Sequence, residues 1–337
     1  MKQRIFYLLS VFTLLIGVCT QSAAAESTTA GTGQALEIAP PLVNISANPG
    51  ASAKSSVKIR DVSAIPLTVS NEINDFTADG EDGTPRILTD TTKQSPYSLK
   101  DWIKPIPKLS LKPREIVEVP ITITVPSNAS PGGYYAVVRF TAQASEPEKS
   151  GVSLSASLGA LVFLKVNGEA KENLSIVQFA TQNDGDKDVK KTNWLFESSP
   201  VQFLQRVKNS GTIHLQPTGQ VTVKDAFGKV VATVNVNLSA NTNNGNVLPD
   251  QTRAFISRLD SSVIGNRVLF GRYTADLALT YGSKGKTVTA STAFWVIPYK
   301  LILFIIFAFI VLFFAFRRGL GRYNEKIIEK SRGRRRR

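Results

Sequence analysis

The chain carries one histidine, His214, and one cysteine, Cys19. Acyl transfer needs a nucleophile, a base beside it and a group that orients the base. His214 has neither a GxSxG turn nor a partnered acid, so it reads as structural. Ser55-Ser56-Val57-Lys58 meets the SxxK spacing of serine–lysine hydrolases. It lacks SDN and KTG companions and lies in a segment that alternates like a strand. Leu215-Gln216-Pro217-Thr218-Gly219 resembles a sortase signal, but its proline is misplaced and the apolar C-terminal run begins about 75 residues later. Two acidic tracts could gather calcium, which takes about six to eight oxygens. These are Asp184-Gly185-Asp186-Lys187-Asp188 and the group Asp75, Asp79, Glu81 and Asp82. Lys187, Lys190 and Lys191 crowd the first, and neither follows an EF-hand spacing, so both read as solvated loops. Trp102 and Trp194 could stack on sugar rings, though core packing is the better use of tryptophan in a small sandwich. Asn44, Asn128, Asn173 and Asn237 each begin N-x-S, which matters only in a eukaryotic secretory pathway. No catalytic, cofactor or metal constellation emerges, and the residues that bind a ligand stay open.

The ends of the chain say where such residues would work. Leu301 to Phe316 is sixteen residues without a polar side chain, roughly 24 Å of helix, or roughly 34 Å counted back to Phe294. That suffices for a hydrocarbon core of about 30 Å. Lys300 near its outer end can reach the headgroups, and Trp295 and Tyr299 sit where interfacial aromatics belong. The tail from Arg317 holds ten Lys/Arg against Glu325 and Glu329, which the positive-inside rule keeps in the cytoplasm. At the N-terminus, Lys2 and Arg4 precede an apolar stretch from Ile5 to Val18 and Ala23-Ala24-Ala25, a signal peptide cleaved after Ala25. Ile16-Gly17-Val18 before Cys19 makes a poor lipobox. The topology expected is type I, a single-pass cell-membrane protein with most of the chain outside.

Charge follows topology. Of the formal +14, the tail supplies +8, Lys2 and Arg4 supply +2 and Lys300 +1, which leaves +3 for residues 26–299. The basic pI is therefore no sign of nucleic-acid binding, although the tail can gather anionic lipid headgroups. With Cys19 in the signal peptide, the exported region has no disulfide and must be held by core burial.

That region reads as β throughout. Short runs such as Val117-Glu118-Val119-Pro120-Ile121-Thr122-Ile123 and Gln220-Val221-Thr222-Val223 alternate at period two between turn residues. An internal repeat at offset 148 pairs Ile59 with Val207, Asp61 with Asn209, Ile65 with Ile213 and Leu67 with Leu215. A second echo sets Gly133-Tyr134-Tyr135 beside Gly271-Arg272-Tyr273. It predicts that Tyr135 and Tyr273 do equivalent work, each ring facing its own core. The fold class expected is all-β: two Ig-like antiparallel β-sandwich domains in tandem plus one C-terminal transmembrane α-helix. The divisions are 1–25 signal peptide, 26–35 linker, 36–180 first sandwich, 181–198 charged linker, 199–297 second sandwich, 298–316 transmembrane helix and 317–337 basic cytoplasmic tail.

Asn48-Pro49-Gly50, the string VPSNASPGGYYAVVRF and the following SLGALVFLKV are similar to DUF916-type domains of bacterial cell-surface proteins. The whole layout resembles the WxL-interacting protein family, except that the second sandwich does not match that family's second domain. The resemblance implies surface display and contact with peptidoglycan or a surface partner. It transfers no functional residue, and Pro131-Gly132-Gly133 reads as a turn and packing motif. The expected role is non-catalytic: scaffolding of the cell wall or of a surface protein partner. The alternative is a chaperone-like or assembly receptor that captures a secreted β-rich protein by strand addition.

Overall fold

The computed structural model describes residues 35–88, 95–144, 156–238 and 245–334. The signal peptide expected at 1–25, and all but the last residue of the linker at 26–35, lie outside them. Among the described residues, seventeen strands and two α-helices form two sandwiches and a terminal helix. In the first sandwich, one sheet runs β1 (Leu36–Ala39), β3 (Ser52–Asp61), β7 (Ile116–Thr124). The facing sheet runs β2 (Leu42–Ala47), β9 (Ala156–Val166), β8 (Gly132–Ala144), β4 (Leu67–Asp79), β5 (Thr84–Leu88), with β6 (Leu109–Leu111) also on β4.

The second sandwich repeats this plan strand for strand, apart from β6. One sheet is β10 (Leu174–Asn183), β12 (Val201–Asn209), β15 (Thr252–Leu259). The other is β11 (Leu195–Phe196), β17 (Lys286–Val296), β16 (Gly271–Tyr281), β13 (Thr218–Asp225), β14 (Val230–Val236). In both, the opening segment crosses between sheets and then lies parallel to the last strand, β2 on β9 and β11 on β17. Pro40 and Pro41, which offer no N–H, mark the first crossing.

Each sandwich has its own core. Ile59, Leu67, Ile121, Phe140 and Leu164 are buried in the first, and Phe203, Val207, Val221, Leu259 and Phe294 in the second. Each contributes roughly 1.5–3 kcal/mol by leaving water. The repeat at offset 148 has a physical basis at its polar pair. Asp61 and Asn209 end β3 and β12 and are both fully buried. Asp61 Oδ1 accepts from the Ser63 N–H at 2.7 Å, and Asn209 Oδ1 from the Gly211 N–H at 2.9 Å, the same turn in each sandwich. Asn209 Nδ2 also donates to the Ile213 and Val247 carbonyls at 2.8 and 2.9 Å.

Two expected boundaries move. Residues 174–183 pair along their length with 201–209, so the second sandwich begins at β10. The tract 184–192 is a loop inside that sandwich, and the stretch between the sandwiches is 167–173. Its charge concealed how it is held: Gln182 Nε2 donates to the Asp188 and Lys191 carbonyls, and Gln202 grips Gly185 N–H and Asp186 O. At the C-terminal end, Phe294–Val296 finish β17 and are not helical. The short helix α1 (Ser261–Ile264) follows β15, and α2 runs Tyr299–Arg334, through the apolar run into the basic tail. Tyr299–Gly321, 23 residues, is long and apolar enough to cross a membrane, and none of it is buried against the sandwiches.

Removing the Asn209 side chain leaves the Ile213 carbonyl without its amide donor and the Gly211 N–H without its acceptor, each worth about 1–3 kcal/mol, while the Val247 carbonyl keeps the Leu215 N–H. Asn209→Ala should therefore destabilise the second sandwich by about 2–4 kcal/mol in urea melts. Asn173→Ala, whose amide makes one exposed bond to Ser210, should stay within about 0.5 kcal/mol of wild type.

Candidate binding cleft between the sandwiches

β8 is central in its sheet, and Ala136, Val138 and Phe140 fill the first core. Period two therefore turns Tyr135 and Val137 to the opposite face. There they form a separate cluster with Phe76 of β4 and Phe163 of β9, against which Leu248 of the second sandwich packs. The Tyr135 ring meets Phe163 edge-on at 5.0 Å and His214 at 5.6 Å. Its hydroxyl accepts from the His214 backbone N–H at 2.7 Å and lies 3.2 Å from His214 Nδ1. With that oxygen donating to Nδ1, the imidazole is neutral and carries its proton on Nε2. Burial, with Lys165 adding a smaller push, lowers the His214 pKa to about 4. Burial likewise pushes the Tyr135 hydroxyl far above its ordinary range.

The expected equivalence of Tyr135 with Tyr273 is thus off by one residue. Tyr273 faces the second core, stacked on Phe294, with its hydroxyl donating to the Phe270 carbonyl. Its counterpart is Tyr134, which packs on the first core against Trp102 and donates to the Ser130 carbonyl. β8 begins at Gly132 and β16 at Gly271, so the matching triplet is Gly132-Gly133-Tyr134. A slip of one residue in a strand exchanges the faces.

Polar bonds fasten the rim of this contact. Glu81, between β4 and β5, takes Arg206 Nε and Nη2 at 2.6 and 2.5 Å, and its carbonyl accepts the Ala254 N–H at 2.7 Å. The Glu81 carboxylate raises the Arg206 pKa. Tyr97 donates to Asp250 at 2.9 Å, and desolvation followed by that carboxylate pushes the Tyr97 pKa up to about 12. Gly133 N–H donates to the Thr212 carbonyl at 2.9 Å. A Cβ on Gly132 would come within 2.8 Å of that carbonyl, and φ there is +156°. Pro131-Gly132-Gly133 is therefore the place where the second sandwich touches down.

Around the joint the sandwiches leave a cleft. One hollow of about 670 Å³ is lined by Leu42, Asn44, Ser46, Phe163, Lys165 and His214, and by Glu172 and Ser283. A second of about 280 Å³ shares Leu42, Phe163 and Asn246 with it, and a third of about 270 Å³ shares Phe76, Thr77 and Leu248 with the second. Among the described residues, β2 ends its sheet along the hollow of about 670 Å³. Pro41 O and Ala47 O accept from Leu161 and Asn167 of the β9 side. By strand period, residues 41, 43, 45 and 47 turn their backbone to β9, and 42, 44 and 46 turn theirs to the free edge, with the same three residues lining the hollow.

The other residues singled out in the sequence fall apart in space. Ser55 and Lys58 lie three apart on β3, hence on opposite faces, and the Ser56 hydroxyl bonds Glu118. Leu215 is buried, and Thr218-Gly219 opens β13, where a Cβ on Gly219 would meet the Ala278 carbonyl. Asp75 holds Ser98 and Ser95, Asp82 caps Thr84, Asp79 pairs with Arg86, and Asp184 with Arg258. Among the described residues no cluster of three metal-binding side chains occurs. Trp102 is half-buried on the first core, whereas Trp194, expected in a core, is exposed. The cleft itself was missed. Its signal was present: GYYAVVRF and GALVFLKV are apolar on successive residues, as strands covered on both faces are.

No family model matches the chain, and no curated protein matches it. Among solved structures it is similar to the class 5 fimbriae chaperone CfaA at 14% identity over 78% of this chain and 100% of that one, TM-score 0.35. The Salmonella enterica SafA pilin–SafB chaperone complex aligns at 11% identity over 78% and 96%, TM-score 0.35. The CsuC–CsuE chaperone–tip subunit complex of Acinetobacter baumannii aligns at 14% over 76% and 97%, TM-score 0.32. Likeness at this level transfers neither a partner nor a residue.

His214 titrates at about 6.5 when unfolded and at about 4 when folded. The unfolded state binds the extra proton between these values, so the stabilisation is complete above pH 6.5 and declines as pH falls toward 4. Wild type should lose up to about 3 kcal/mol more across this window than His214→Gln, read from urea melts at stepped pH. Equal losses in the two proteins would mean that His214 is not buried at the joint.

Proposed function

We infer that this protein is a membrane-tethered, non-catalytic binding protein that takes an extended segment of a secreted or surface polypeptide into the cleft between its sandwiches. The segment adds a strand to β2. The observation that carries this reading is that, among the described residues, β2 ends its sheet beside the hollow of about 670 Å³. An unpaired strand edge is a template for another chain, and main-chain bonds supply affinity that depends little on sequence. Specificity would come from side chains set alternately against Phe163 and Ile213 on one side and toward solvent on the other. Lys165 and Glu172 at the margins offer one charge of each sign to the incoming segment. The apolar span Tyr299–Gly321 supports tethering, with the basic tail retained on the cytoplasmic side.

Asn44→Pro tests the edge. It deletes an N–H that lies on the free edge of β2 and is not used by β9, a position where proline is tolerated in a strand. Binding of secreted polypeptides to the Asn44→Pro protein should weaken roughly tenfold or more, with thermal stability little changed. Amide exchange at Leu42, Asn44 and Ser46 should slow in the wild-type complex. Unchanged binding with unprotected amides, or binding of peptidoglycan fragments alone, contradicts strand addition and favours a wall-binding scaffold.

A further inference from the structure

The second sandwich has an end opposite the cleft, and the ladder register shows what gathers there. Val296, the last residue of β17, pairs with Gly271 and with Phe196. Asp225, the last of β13, pairs with Tyr273, two residues from Gly271. The turn after β13, the segment before β16 and the two-residue β11, which lies beside the last residues of β17, therefore share the end at which the chain leaves for α2. Exposed apolar side chains collect at this end: Phe227 (96% exposed), Val268 (89%), Phe270 (65%) and Trp194 (63%).

They do not lie in a single cluster. Trp194 precedes one edge strand, Val268 and Phe270 lead into β16, and Phe227 tips the β13–β14 turn. Across the sheet order that is a spread of roughly 17 Å at about 4.8 Å per strand. What faces them is set by the exit of the chain. Only Ile297 and Pro298 separate β17 from α2. Ile297 N–H donates to the Phe196 carbonyl at 2.8 Å, and Lys300 meets Glu197 at 2.5 Å, so the helix leaves from the base itself. Carboxylates at this end stand beside cations: Asp184 pairs with Arg258 and Glu197 with Lys300, and Asp186 and Asp188 share their loop with Lys187, Lys190 and Lys191.

We propose that the base of the second sandwich rests on the outer leaflet, with Phe227, Val268, Phe270 and Trp194 set into the boundary between headgroups and acyl chains. Three separated contacts beside one covalent anchor fix tilt as well as height. β16 and β17 are each eleven residues long, which places the cleft roughly 35 Å above the leaflet. This rests on the reading that α2 spans the membrane, and the experiment separates the two.

Full-length protein is reconstituted into phosphatidylcholine vesicles containing brominated lipid. One version keeps Trp194 alone (Trp102→Phe, Trp295→Phe), and the other keeps Trp102 alone (Trp194→Phe, Trp295→Phe). Emission of Trp194 should fall about twofold or more while that of Trp102 is nearly unchanged. Adding Phe227→Ser, Val268→Ser and Phe270→Ser should restore Trp194 emission although the protein still floats with the vesicles. Protein that floats but leaves Trp194 unquenched overturns the docking alone. Protein that fails to float overturns the anchor, and the docking with it.

Discussion

The arrangement of the two sandwiches depends on one buried contact, the Tyr135 hydroxyl held between the backbone N–H and Nδ1 of His214. Each partner satisfies the other where water is excluded, so neither can be withdrawn without leaving a buried polar group unpaired. The aromatic faces of Phe76 and Phe163 surround the contact. Glu81–Arg206 and Tyr97–Asp250 brace it from the rim. Tandem domains joined by a short link ordinarily move against each other unless their interface is large or specific. Here specificity stands in for size. A bidentate ion pair and a doubly bonded hydroxyl have narrow geometric tolerance, and a carbonyl seated over Gly132 leaves no room for sliding.

A fixed angle is what makes the cleft a site. The first sandwich alone would present Tyr135, Val137, Phe163 and Phe76 as an exposed apolar patch, and the open edge of β2 would face bulk water. The loops of the second sandwich cover that patch only in part. The remainder becomes a hollow with an apolar floor, a strand edge along one wall and a charge of each sign at its margins. Strand addition in such a place differs from pairing on a free edge. The cleft limits what can enter to an extended chain, and the floor adds side-chain contacts to main-chain bonds.

Much of the fold was legible in the sequence because it rests on local patterns. Period-two runs between turn residues define strands, and the pairing of Asp61 with Asn209 at offset 148 reflects a turn that both sandwiches need. The apolar run from Leu301 marks the terminal helix without help from any tertiary contact. What failed depends on faces and partners. Gly132-Gly133-Tyr134-Tyr135 contains two overlapping Gly-x-Tyr frames, and only the strand start at Gly132 decides which tyrosine is in the core. The stretch 181–198 reads as a charged link because composition does not reveal Gln182 and Gln202 holding the backbone of 184–192. His214 sits in a joint whose other half is long-range, 79 residues away at Tyr135, and no local pattern announces such a contact.

The most direct test of the account is the distance distribution between the sandwiches. Nitroxide labels at Lys58→Cys in the first and Lys284→Cys in the second, in a Cys19→Ser background, report it by double electron–electron resonance. At pH 7 the account predicts one narrow distribution, and Tyr135→Ala should broaden it while each sandwich remains folded. A broad distribution in the protein with Tyr135 intact would contradict it.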